Sequence, residues 1–195
     1  ETNGVKLTGP IQVPATGGWQ AWQTVSAVVS LPAGAQRLKL VFDTAGANGT
    51  GNITWFRFTT LTSTPYSGTA IALPGSFPAT NFDNGGEGLG YHDTTTGNAG
   101  GAYRSTDVDI EAASFGGNDV GWIDAGEWLA YSVNVAAPGA YTVTVQVASP
   151  FSTGQLHARF GAIDTASVTI PNTGSWQNWT NVVINATLDA GAQTM

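Results

Sequence analysis

The chain has 195 residues, enough for one well-cored domain or for one domain and part of a second. Charged residues make up only 10% of it and the net charge is -7, which excludes the clustered Lys and Arg that grip nucleic-acid backbones. There is no cysteine, so thiol chemistry and a disulfide framework are excluded too. No apolar run approaches the roughly 20 residues that span a bilayer, and residues 1–20 lack the basic-then-apolar layout of a leader peptide. With 26 glycines and 7 tryptophans, the composition is that of a turn-rich β protein. In chain order, alternating or β-branched runs predict strands over 23–31, 37–42, 53–58, 108–111, 128–135, 140–147, 156–160, 166–170 and 182–188. Each is bounded by Gly, Pro, Asn or Asp, and no stretch has a capped helical pattern. The expected fold is all-β, an antiparallel sandwich or barrel.

An internal repeat organises the chain. Residues 1–38 align without a gap on 158–195, Trp19 falling on Trp176 and Leu38 on Met195. Thr16-Gly17-Gly18-Trp19-Gln20-Ala21-Trp22 matches Thr173-Gly174-Ser175-Trp176-Gln177-Asn178-Trp179, and Ala33-Gly34-Ala35-Gln36 returns as Ala190-Gly191-Ala192-Gln193. Residues 39–60 have no counterpart, and 61–70, with Pro65 and small polar residues, read as an exposed, weakly structured linker. Residues 1–60 are thus expected to be the C-terminal part of one module. Residues 71–195 are expected to be a second that lacks its last strands. A sandwich short of strands presents unpaired N–H and C=O groups. Residues 39–58 are expected to complete the second module, by circular permutation within the chain or by a strand swap between chains. The alternative is a loosely attached first fragment.

Three segments resemble the family 6 carbohydrate-binding modules. Asn118-Asp119-Val120-Gly121-Trp122-Ile123-Asp124-Ala125-Gly126-Glu127-Trp128-Leu129-Ala130-Tyr131 is similar to their N-V-G-aromatic-I-x-x-G-E-W-x-x-Y segment. Pro171 to Trp179 is similar to P-x-T-G-G-W-x-x-W, and Gly51-Asn52-Ile53-Thr54-Trp55-Phe56 to the closing N-x-N-W strand. The resemblance implies a jelly-roll sandwich, a structural Ca²⁺, and a ligand cleft in the loops at one end, with a second cleft on the sandwich face in some members. It also implies secretion and covalent attachment to a polysaccharide-degrading enzyme.

A pyranose offers an apolar C–H face and a rim of hydroxyls, so a receptor needs aromatic platforms and a few hydrogen-bonding groups. By motif position the platforms are Trp122 and Trp176, with Asn52 as a hydrogen-bonding residue and Glu111, or Asp109, as the acidic one. Trp128 is a candidate for the second cleft, and Trp19 is the platform of the first copy. Trp22, Trp55 and Trp179 read as core. Asp107, Asp109 and Glu111 alternate with apolar residues and share a strand face, where they could hold Ca²⁺, line the sugar cleft or be solvated. Where the family has an acidic residue for calcium this chain has Thr80, leaving Asp83 as the remaining metal ligand candidate. The Gly-rich loop 83–104 lacks phosphate-binding spacing and inclines the ligand towards a β-glucan, β-1,3-linked in particular. A glycosidase would need a pair of carboxyls about 5 Å or roughly 6.5–9.5 Å apart, and nothing in the sequence sets one carboxyl apart as the acid. The expected function is therefore non-catalytic polysaccharide binding. A glycoside hydrolase and a structural or adhesion module are the alternatives.

Overall fold

A computed structural model describes residues 6–44 and 49–195 of the chain. It divides into two compact units, Glu1–Thr59 and Thr60–Met195.

In the first unit the described residues form no β-ladder longer than isolated bridge residues at Leu38 and Gly49. The strands expected over 23–31, 37–42 and 53–58 are not formed. Trp22 and Trp55, expected in a core, are exposed, as are Leu40, Phe42, Phe56 and Phe58. The physical reason is that an alternating pattern becomes a strand only when a neighbour completes its ladder and an apolar layer covers one face. The described residues of this unit supply neither.

The second unit is an all-β sandwich of short strands, and no α-helix occurs among the described residues. Its strands are β1 (Ile71–Leu73), β2 (Tyr91–His92), β3 (Ile110–Ala112), β4 (Asn118–Val120), β5 (Trp128–Leu129), β6 (Ser132–Val135), β7 (Gly139–Val147), β8 (Gln155–Leu156), β9 (Arg159–Phe160), β10 (Ile163–Asp164), β11 (Val168–Thr169), β12 (Thr180–Leu188) and β13 (Gly191–Thr194). Every pairing is antiparallel except β1 with β6, in a sheet of order β1-β6-β13. The run over 128–135 divides at Ala130–Tyr131 because Tyr131 exchanges both backbone hydrogen bonds with Met195.

β7 and β12 follow their alternation most closely. Their register sets Val145 opposite Val182, Val143 opposite Ile184 and Tyr141 opposite Ala186, so one face is apolar and the other carries Thr142, Thr144, Asn181 and Asn185. Ile184 and Leu188 reach the core, with Phe82, Tyr91, Val108, Ile110, Tyr131, Val133, Val135 and Phe160. Tyr141, Val143, Val145 and Val182 on the same face are only half-buried.

Residues 60–70 belong to this unit, and part of them is ordered. Thr64 exchanges both backbone hydrogen bonds with Asn84 (3.0 and 2.8 Å), a turn closes from Gly68 N to Pro65 O, and the Asn84 amide donates to the carbonyls of Pro65 and Tyr66.

Candidate functional site

The β3–β4 hairpin organises the loops that carry the conspicuous aromatic residues. Gly116 and Gly117 take up left-handed φ values in its turn, and the register sets Glu111 directly opposite Asp119. Two like charges in that position repel. Gln177 answers this: its Nε2 donates to Glu111 Oε1 (2.9 Å) and to Asp119 Oδ2 (3.1 Å). Burial pushes the Asp119 carboxyl up from its ordinary value; the Gln177 amide holds it down and the Glu111 charge raises it. Asp119 Oδ1 is buried without a partner. The other end of Gln177 is fixed as well, since Oε1 accepts from Ser114 N (2.7 Å) and its carbonyl from Ser114 Oγ (3.0 Å).

Both motif tryptophans extend from this anchored unit. Trp176 precedes Gln177 and is 61% exposed. Trp122 follows β4 by two residues, at φ 50, and is 55% exposed. A left-handed φ on a bulky residue is strained, and here it holds an indole out in solvent. Trp122 faces an open depression of about 570 Å³ whose other walls are residues 95–99, Asp109 and Asp124. Trp179 is half-buried; its Nε1 donates to Ser114 Oγ (3.1 Å) and its ring meets Phe115 edge-on. It lies outside the core expected of it and instead props the 114–115 turn.

The depression's wall is held by side chains that accept from loop amides. Asn98 Oδ1 takes Ile110 N (2.8 Å) and Gly101 N (2.9 Å), while Asp107 takes Gly97 N (2.8 Å) and the buried Asp109 takes Ala99 N (2.5 Å). Gly100 lies so close to the Ile110 carbonyl that a Cβ would stand 2.2 Å from its oxygen. Glu127 ties the loop to the 122–128 segment, accepting from Thr94 N and Oγ1 and from Asp124 N. Burial pushes the Glu127 carboxyl up, but these donors outweigh it and hold it below the usual range.

The remaining candidates fall elsewhere. Trp128 lies on β5, 42% exposed, beside His92 of β2, whose Nδ1 is 2.5 Å from Glu87 Oε1. Trp19 and Asn52 are together in the first unit, where Asn52 Nδ2 donates to the Trp19 carbonyl (3.1 Å). Asp83 is fully buried: Oδ1 accepts from Ser132 N (2.9 Å), and Oδ2 from Ser132 Oγ (2.6 Å) and Ser63 Oγ (3.1 Å). Among the described residues no three acidic or histidine side chains converge on a metal-sized space. These surroundings, donors filling both oxygens, do not fit a calcium ion at Asp83. Reading the sequence missed Gln177, Ser114 and Asp119 as the frame of the site. The repeat held a signal for one of them, since Gln20 matches Gln177.

Residues 1–60 and 98–195 match the family model for carbohydrate binding module (family 6). Over 194 residues the chain is 26% identical to the clotting factor G alpha subunit of Tachypleus tridentatus, covering 97% of this chain and 25% of that protein. Over 182 residues it is 27% identical to endo-1,4-beta-xylanase A of Thermoclostridium stercorarium, covering 92% and 24%. The chain thus spans about a quarter of the length of these relatives. The crystal structure of the C-terminal family 6 module of LamC, a marine laminarinase from Zobellia galactanivorans, is similar at 32% identity and TM-score 0.44, covering 52% of this chain and 85% of that one. The matched family model extends over both parts of the internal repeat, and the chain belongs to the family 6 carbohydrate-binding modules.

Proposed function

We propose that the chain is a non-catalytic, secreted module that holds an attached glycoside hydrolase against a polysaccharide, with β-glucan as its preferred ligand. The observation that carries this reading is that both motif indoles, Trp122 and Trp176, stand exposed on segments adjoining the Glu111–Gln177–Asp119 frame. Each offers an apolar face to the C–H face of a pyranose, and Glu111, of which Gln177 takes only Oε1, offers its other carboxylate oxygen to the hydroxyl rim. Attachment raises the effective concentration of a tethered enzyme at its substrate. The xylanase relative supports an enzyme as the tethered partner. The 83–104 loop, which walls one side of Trp122, supports the preference for β-glucan.

Against catalysis stand the commitments of the carboxylates. Asp107, Asp109 and Glu127 each hold loop amides, and Glu111 and Asp119 share the Gln177 amide. Incubating the purified chain with β-glucan, xylan and agar is expected to release no reducing sugar; release would favour the hydrolase reading. A structural or adhesion role predicts no retention on any polysaccharide in affinity gels, whereas this reading predicts retention.

Strand complementation is the second part of the proposal. The half-buried inner face of β7 and β12 and the exposed Ile53, Trp55, Phe56 and Phe58 motivate a swap in which 39–58 of one copy covers that face in another. Residues 45–48 of that segment lie outside the described residues.

A further inference from the structure

Phe151 is 59% exposed, beside the candidate site. A lone exposed Phe is ordinary, but this one is held in place. Ser149 and Thr173 are tied by three hydrogen bonds: Thr173 N to Ser149 O (2.7 Å), Ser149 N to Thr173 Oγ1 (2.9 Å) and Thr173 Oγ1 to Ser149 O (3.1 Å). Phe151 N then donates to Ser149 Oγ (3.0 Å). The loop before Trp176 and the loop carrying Phe151 are thereby one rigid piece. Their rings meet with centroids 5.7 Å apart at 70°. Two aromatic walls at that angle form a corner.

We propose that Phe151 is a third sugar-contacting aromatic, which extends the Trp122–Trp176 site by one sugar residue and suits it to a chain that turns between residues. This rests on the sugar-binding reading above and deepens it. A residue stacked on Trp176 would send its neighbour towards Phe151 only if the chain bends. β-1,3 linkages turn the chain at each step, whereas β-1,4 linkages keep it a flat ribbon. The chemical class is therefore a β-1,3-linked glucan of at least three residues.

The test is calorimetric titration of the whole chain with β-1,3-gluco-oligosaccharides of two to six residues and a cello-oligosaccharide series, for the wild type, Phe151→Ala and Phe151→Trp. Phe151→Ala is expected to leave the disaccharide affinity within about twofold and to weaken the β-1,3 hexasaccharide by about fivefold or more, with Phe151→Trp restoring it. An equal loss at every length would make Phe151 only a prop for Trp176 and overturn the proposal. Unchanged hexasaccharide binding would overturn it too, while leaving the sugar-binding reading in place. A wild type that binds neither series would remove both.

Discussion

Asp119 illustrates how a single side chain links the site to stability. Its carboxyl is raised above the ordinary 3.8 by burial, with Gln177 opposing and Glu111 adding to the rise. An acid whose folded-state pKa is raised contributes stability that is present below its unfolded pKa and lost as pH climbs through the folded one. At neutral pH the ionised Asp119 therefore costs stability. Asp119→Asn keeps the shape and removes the like charge opposite Glu111, so it is expected to raise Tm at pH 7 by about 2–4 °C, the shift that about 1 kcal/mol gives in a chain of this size. The gain should vanish near pH 3, where the wild-type carboxyl is protonated. Thermal melts at pH 3 and pH 7 check this, and an equal gain at both would contradict the assignment. Trp122 and Trp176 were visible in the sequence because each motif fixes its position. Gln177 was not, because its importance comes from a register between β3 and β4 that only the fold reveals.

Elements differ in how openly the sequence announces them. Burial alternates along all nine residues of β7 and of β12, the sequence following it except at the exposed Val183, and the predicted runs reach nearly to the ends of both. β1, β2 and β4 have two or three residues, too few for a period to show, and are defined by their partners. The 83–104 loop reads as irregular Gly-rich chain, yet side-chain acceptors hold 94–101 to β3 and to the 122–128 segment. Gly100 is the position where that packing is tightest. Gly100→Ala puts a methyl group against the Ile110 carbonyl, where backbone and not a flexible side chain must move. We expect a loss of about 1–3 kcal/mol, typical of overpacking, together with weaker polysaccharide retention as the wall beside Trp122 shifts. Urea unfolding and affinity electrophoresis measure the two effects, and an unchanged midpoint would show that the loop does not bear on β3.

For the whole molecule, the repeat suggests two modules joined by a linker, and the structure has two compact units, Glu1–Thr59 and Thr60–Met195. The repeat does not tell whether the alternating runs of the first unit become strands, because a pattern records only which face wants covering and not whether a cover is present. If 39–58 of one copy serves another, sedimentation velocity should show a concentration-dependent dimer, and deleting residues 1–59 should abolish it. A strictly monomeric chain at high concentration would rule out the swap without touching the site, which lies within the second unit.

The central claim is that Trp122 and Trp176 bind polysaccharide as a pair. Affinity electrophoresis through soluble β-1,3-glucan, with circular dichroism to confirm the fold, tests it directly. The wild type should be retarded, and Trp122→Ala and Trp176→Ala should each lose most of that retardation, a change of about tenfold or more in affinity for removing one stacking platform. Retardation of both variants equal to that of the wild type would contradict the account.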